Sequence, residues 1–183
     1  MQRVAATVMG RTGAPYHGKQ MTDQQIQKAM EALVVLLADS NAYTRRLTRT
    51  MLTNLGIKSI YESVDGIAAL EAIRTINPDV MILEWDLPVL DGPEVMRVVR
   101  SPGVFPKPSL PIIMLTDRGL RSRVTEAIRL GVNEFLVKPI SPKTLQQRLL
   151  SILLNPRPMV RAGKYYIPMP RRRIDLKEFI SAA

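Results

Sequence analysis

Four short apolar runs, each closed by a polar side chain, constrain this chain more than any other feature. Leu33 to Ala38 stops at Asp39, Val80 to Leu83 at Glu84, Pro111 to Leu115 at Thr116, and Glu134 to Val137 at Lys138. Val80-Met81-Ile82-Leu83 lacks polar alternation, the pattern of a strand buried on both faces. In the stretch that follows, Pro88, Asp91 and Gly92 break the strand and turn the chain. A further short strand is predicted over Lys58 to Ser63, and helical patterns separate all five. Ala42 to Asn54 carries Leu47, Met51 and Leu55 at four-residue spacing before Gly56. Gly66 to Ile76 should turn Ile67, Leu70 and Ile73 inward before Asn77-Pro78. Pro93 to Arg100 leads into a Pro-rich loop, Ser101 to Pro111. Gly119 to Leu130 should bury Leu120, Val124, Ala127 and Ile128, and Pro142 to Leu154 should bury Leu145, Leu149 and Ile152. Such alternation argues for a parallel sheet covered on both faces. Ligands bind beyond the carboxyl ends of such strands, where their order reverses, so Asp39, Glu84, Thr116 and Lys138 should converge there.

The net charge of +10 suggests a nucleic-acid binder until it is divided along the chain. Residues 31–154 hold 15 Lys/Arg against 13 Asp/Glu, residues 1–30 hold 4 against 1, and residues 155–183 hold 7 against 2, so the basicity is mostly in the end segments. No helix-turn-helix, zinc or OB pattern accompanies them, and nucleic acid is not the expected partner. Without cysteine there is no disulfide or thiolate metal site. His17 has no second His or Cys to complete a metal site. With no run long enough to span a membrane, a cytoplasmic location is expected. The predicted organisation is an N-terminal extension over 1–30, loose and then a short helix from Thr22; a domain over 31–155; and a basic Pro/Arg-rich tail over 156–183 without a core of its own. Asp175 to Ser181 could close that tail as a helix.

Taken in order, Leu36-Leu37-Ala38-Asp39-Ser40-Asn41, Glu84-Trp85-Asp86-Leu87-Pro88 with Asp91-Gly92, Met114-Leu115-Thr116 and Val137-Lys138-Pro139 resemble the receiver domain of bacterial response regulators. The resemblance covers about Glu31 to Asn155. It implies the α/β flavodoxin-like, doubly wound fold of the chemotaxis-type (CheY-like) receiver: a five-stranded parallel sheet of order 2-1-3-4-5 with five helices. It also implies a phosphorylated aspartate on the third strand and an acidic pair on the first that holds Mg²⁺. A switch Ser/Thr on the fourth strand, a phosphate-binding Lys on the fifth and a cis peptide before Pro139 complete the pattern. Two positions depart from it: Glu84 replaces the acceptor aspartate, and Asp39-Ser40 replaces the acidic pair.

Glutamate carries its carboxylate one C–C bond further out, roughly 1.5 Å at most, a large offset for phosphoryl transfer. Ser40 removes one negative charge from a site that must recruit Mg²⁺ in octahedral geometry. The sequence therefore predicts a degenerate pocket of Asp39, Ser40, Glu84, Thr116 and Lys138, with no enzymatic turnover, no cofactor and no Mg²⁺; any residual ion would sit between Asp39 and Glu84. Glu84 should reach toward Lys138 and Thr116, either imitating a phosphorylated state or simply forming an ion pair, with Asp39 as a third member of the cluster. Asp86 reads as a solvated loop acid, Trp85 as partly exposed. Thr116 and Phe135 occupy the family's switch positions.

A receiver without an attached effector acts by binding, and this chain is expected to be a single-domain pseudo-receiver. Its partner would be a kinase, motor or regulator component of a two-component or chemotaxis-type system. The family's partner surface, its fourth helix to fifth helix, would here present Arg118, Arg121 and Arg129 with Arg123 beside them, and could also support a homodimer. The tail, with Arg161, Tyr165, Arg171, Arg172 and Arg173, is similar to arginine-rich extensions of some receivers that act as cyclic-di-GMP effectors. Such a dinucleotide is the alternative ligand, through guanidinium forks and purine stacking.

Overall fold

The computed structural model describes residues 22–169. Strands β1 (Val34–Ala38), β2 (Ser59–Ser63), β3 (Val80–Glu84), β4 (Ile112–Thr116) and β5 (Glu134–Val137) form one parallel sheet of order 2-1-3-4-5. Helices α1 (Asp23–Glu31), α2 (Ala42–Asn54), α3 (Gly66–Ile76), α4 (Gly92–Arg100), α5 (Arg121–Arg129) and α6 (Pro142–Leu154) cover it. The sixth helix is the N-terminal one, and it lies outside the five of the predicted domain.

Alternation along the strands divides the core into two layers. Leu36, Ala38, Met81, Leu83, Ile112 and Met114 face α3, α4 and α5. Val35, Leu37, Ile82, Ile113, Leu115 and Leu136 face α1, α2 and α6. Although α1 precedes the predicted boundary, it buries Ala29 and Met30, and Met30 joins this second layer. Its start is fixed by a capping box in which the Thr22 hydroxyl accepts from Gln25 N–H and the Gln25 side chain accepts from Thr22 N–H.

Helix starts at the carboxyl edge are set by side-chain caps: Asn41 for α2, Asp65 for α3, Asp91 with Glu94 for α4 and Ser141 for α6. Asn77 ends α3 in the left-handed conformation, and Pro78 follows. Gly92 lets α4 begin directly over the end of β3, where a Cβ would fall 2.6 Å from the Glu84 carbonyl oxygen.

Several inward assignments are corrected. Ile67 is 54% exposed, and Ala69 and Ile73 are the buried residues of α3's apolar face. Leu47 is likewise turned out, while Thr48, Met51 and Leu52 are buried. The fourth core helix starts two residues later than predicted: Leu120 becomes its N-cap and is 52% exposed, Ile128 is exposed, and Ala127 is its one buried residue. Trp85 is buried, not partly exposed.

The segment after Asn155 also departs from expectation. Met159–Ala162 (β6) and Tyr165–Pro168 (β7) pair antiparallel across a Gly163-Lys164 turn. This hairpin uses the domain's core in place of its own: Ile167 is buried, Tyr165 packs on the α3–α5 layer, and β7 lies along α4. Gly131, at φ +80, makes room for it, since a Cβ there would fall 2.4 Å from the Tyr166 carbonyl oxygen. Fully buried Arg100 donates to the carbonyls of Gly131 (3.1 Å) and Pro108 (2.7 Å) and to Asn133 Oδ1 (3.1 Å), tying α4 to the Pro-rich loop and to the entry of β5. The Asp175 to Ser181 helix lies outside the described residues.

Candidate functional site

The strand ends bring Asp39, Glu84, Thr116 and Lys138 to one edge of the sheet. Glu84 is 4% exposed and folds back on its own loop, Oε1 accepting from Trp85 N–H at 2.9 Å and Asp86 N–H at 3.3 Å. Oε2 forms an ion pair with the Lys138 ammonium. The same ammonium donates to Asp39 Oδ2 at 3.0 Å. Burial works against its charge, but the hydrogen bonds to Glu84 and Asp39 outweigh it and hold the Lys138 pKa above the usual lysine range. Lys138 is aimed into the site from the end of β5, ahead of a cis peptide to Pro139.

Asp39 is 1% exposed, and sequence reasoning missed how its carboxylate is held. Oδ1 accepts from Asn41 N–H at 2.8 Å, and Oδ2 accepts from the Thr44 hydroxyl at 2.7 Å as well as from Lys138. Asn41 is the N-cap of α2 and Thr44 lies in its first turn, so the helix start is built around this acid. Ser40 is exposed.

Thr116 does not join Glu84. Its buried hydroxyl oxygen accepts from Arg123 Nη1 at 2.7 Å and from Arg118 N–H at 3.1 Å. Arg123 turns inward, not outward beside the other arginines, and forks onto Asp86 at 2.8 and 2.9 Å. Hydrogen bonding to Arg123 holds the Asp86 carboxyl below the usual range, so Asp86 is a paired acid although its side chain is 55% exposed. The Arg123 guanidinium lies over Trp85, 5.0 Å from the ring centroid, and Trp85 meets half-buried Phe135 edge-on at 6.2 Å.

Arg118, Arg121 and Arg129 are exposed around α5, and Arg161 is exposed near the hairpin turn. Tyr165 is half-buried against the core. Arg171, Arg172 and Arg173 lie outside the described residues. Val89, in the loop after β3, is 70% exposed and adopts φ +69, an uncommon conformation for a β-branched residue.

The carboxylates that stand where this fold family's Mg²⁺ is held belong to Asp39 and Glu84. Each carboxylate oxygen of Asp39 and Glu84 already faces an N–H, O–H or ammonium group, and Ser40 brings no charge. No group of three His, Cys, Asp or Glu side chains that could hold a metal is present among the described residues.

A 2-1-3-4-5 parallel sheet with acids, a hydroxyl and a lysine at its carboxyl edge defines the class: a flavodoxin-like signalling receiver. Residues 35–150 match the response regulator receiver domain family, and the chain belongs to it. It is 32% identical over 120 residues to the chemotaxis protein CheY1 of Helicobacter pylori, covering 65% of this chain and 95% of that one. Over 121 residues it is 33% identical to the CheY homolog of Campylobacter jejuni, covering 65% and 91%. Among solved structures, Vibrio cholerae CheY4 superposes with a TM-score of 0.59 at 28% identity, covering 66% and 98%. The receiver domain of the Pseudomonas aeruginosa sensor histidine kinase PA1611, solved with magnesium coordinated in its active-site cleft, gives 0.60 at 28%, covering 66% and 97%. The chain is thus a CheY-like receiver of two-component and chemotaxis-type signalling. Among the described residues no helix is long and apolar enough to cross a membrane.

Proposed function

We propose that this chain is a pseudo-receiver: it signals through protein–protein contact, with its pocket neutralised internally instead of by phosphorylation and Mg²⁺. One observation carries the reading: the Lys138 ammonium binds both Asp39 and Glu84. In an acceptor site the metal offsets the incoming phosphoryl charge. Here a side-chain cation satisfies the two acids, and Glu84 is further fixed by two backbone N–H groups. Turning Glu84 toward an incoming phosphoryl group would cost the two backbone hydrogen bonds that hold it on its own loop. Glu84 carries one negative charge against a phosphate's about −1.5 to −2, so its contact with Lys138 reproduces part of a phosphorylated pocket.

Incubating the full chain with acetyl phosphate and Mg²⁺ and weighing it by intact-mass spectrometry tests this. The expected result is an unchanged mass. A stoichiometric phosphoryl adduct that disappears in Glu84→Gln or Asp86→Asn would overturn it.

A further inference from the structure

The pocket divides into two separately satisfied halves, Asp39–Lys138–Glu84 and Asp86–Arg123–Thr116, and the second reaches beyond the pocket. Arg121 and Arg123 are two positions apart, about 200° around a helix; with Arg121 in solvent, Arg123 faces the end of β3. One guanidinium thus ties α5, which carries it, to two other elements: the loop after β3 through both oxygens of Asp86, and β4 through the Thr116 hydroxyl. It also lies on the Trp85 ring, and the side chain is only 15% exposed.

Little else fixes the start of α5. Leu120 provides no side-chain cap, and Ala127 is the helix's one buried residue. The ion pair from α5 to α4, Arg97–Glu126 at 2.8 Å, joins side chains 43% and 42% exposed; such exposed pairs hold weakly. α5 is therefore a thinly packed helix pinned at its first turn by one shielded cation.

We propose that Arg123 is an ionic latch: it sets the position of α5 against the sheet and keeps the Thr116 hydroxyl engaged on the α5 side, away from Glu84. Arg123 is a positioning residue in this scheme. With the latch closed, α5 and Trp85 are held together. With it open, Thr116 is released, the first turn of α5 loosens and Trp85 loses its cover. The latch does not depend on whether Glu84 can accept a phosphoryl group.

The chain's one tryptophan makes the latch directly readable. Full-length protein carrying Arg123→Gln should show at least a twofold rise in acrylamide quenching of Trp85. Amides of residues 117–124 should exchange about tenfold faster, as expected when a local contact network is lost. Asp86→Asn retains the arginine but removes the opposing charge, and should shift both readouts the same way by less. Arg129→Gln, a charge loss on the same helix at an exposed position, should leave both unchanged. Wild-type quenching and exchange in folded Arg123→Gln, or an equal effect from Arg129→Gln, would overturn the latch. Should Arg123→Gln fail to fold, Asp86→Asn decides: unchanged readouts there overturn it as well.

Discussion

A valine at φ +69 on an exposed loop has no packing to hold it there, so its backbone conformation is imposed by its neighbours. Gly66 N–H donates to the Pro88 carbonyl at 3.3 Å, Leu90 N–H to the same carbonyl at 2.9 Å, and Gly92 N–H to Trp85 O at 2.8 Å. These bonds close the loop tightly between the acid strand and α4, and the bond from Leu90 N–H to the Pro88 carbonyl folds Val89 into a γ-turn at positive φ. A positive φ costs an L-residue with a branched Cβ about 1–2 kcal/mol, and glycine escapes that cost. Val89→Gly should therefore raise unfolding stability by about 0.5 kcal/mol in urea titration, the relieved strain exceeding glycine's entropy cost. No change in midpoint would mean that the loop relaxes without strain. The sequence placed a turn here through Pro88, Asp91 and Gly92, but the sign of φ at position 89 arises from the bond between its two neighbours, Leu90 N–H to the Pro88 carbonyl, which no residue type announces. Residue-level geometry in the pocket divides in the same way. That Glu84 would meet Lys138 follows from two strand ends in one parallel sheet, whereas the return of Glu84 Oε1 to its own loop N–H groups depends on a rotamer that no spacing reveals.

Strands were legible because buried parallel strands leave continuous apolar runs and turn residues mark their ends, whereas their order in the sheet came from the resemblance to the receiver family. Helix faces were less so. In α5 a periodicity that reads Leu120, Val124, Ala127 and Ile128 as one stripe is overruled by the shallow seat of the helix, and the inward face goes instead to Ala127 and Arg123. Helical geometry alone could have separated Arg123 from Arg121. The hairpin is a different kind of omission. Tyr165-Tyr166-Ile167 beside Gly163-Lys164 is a hairpin pattern, masked by the prolines around it, and its docking on α4 requires a groove that only the fold creates. Gly131 is the hinge of that docking. Gly131→Ala would meet an unfavourable φ of +80 and place a methyl against the Tyr166 carbonyl, so the hairpin should lift. The expected outcome is faster limited proteolysis within residues 159–168 and a loss of about 2 kcal/mol or more in global stability. Cleavage at the wild-type rate would show that the hairpin is not held by this contact.

Across the whole molecule, charge decides what the carboxyl edge can do. Residues 31–154 carry a net charge of only +2, so the pocket is governed by its own few ions and not by the field of a basic protein. Two acids share one lysine in the lower half of the pocket, and Asp86 has its own arginine. Adding a carboxylate without a cation should therefore raise like-charge repulsion, and a divalent ion should relieve it. The chain carrying both Ser40→Asp and Glu84→Asp restores the family's acids and shortens the acceptor by one methylene. Without metal it should melt lower than wild type. With Mg²⁺ at ten times its Kd it should recover about 1.4 kcal/mol, a rise of about 3–6 °C for a chain of this size, and acetyl phosphate should then add phosphoryl mass. Glu84→Asp alone leaves Ser40 uncharged and Lys138 paired to Asp39, and it should gain little from Mg²⁺. Wild type, with Lys138 already serving both acids, should melt at the same temperature with or without the ion. A wild-type Tm that rises with Mg²⁺ as much as the double variant's would mean that Lys138 yields its place to the metal, and that the internal neutralisation proposed here is reversible.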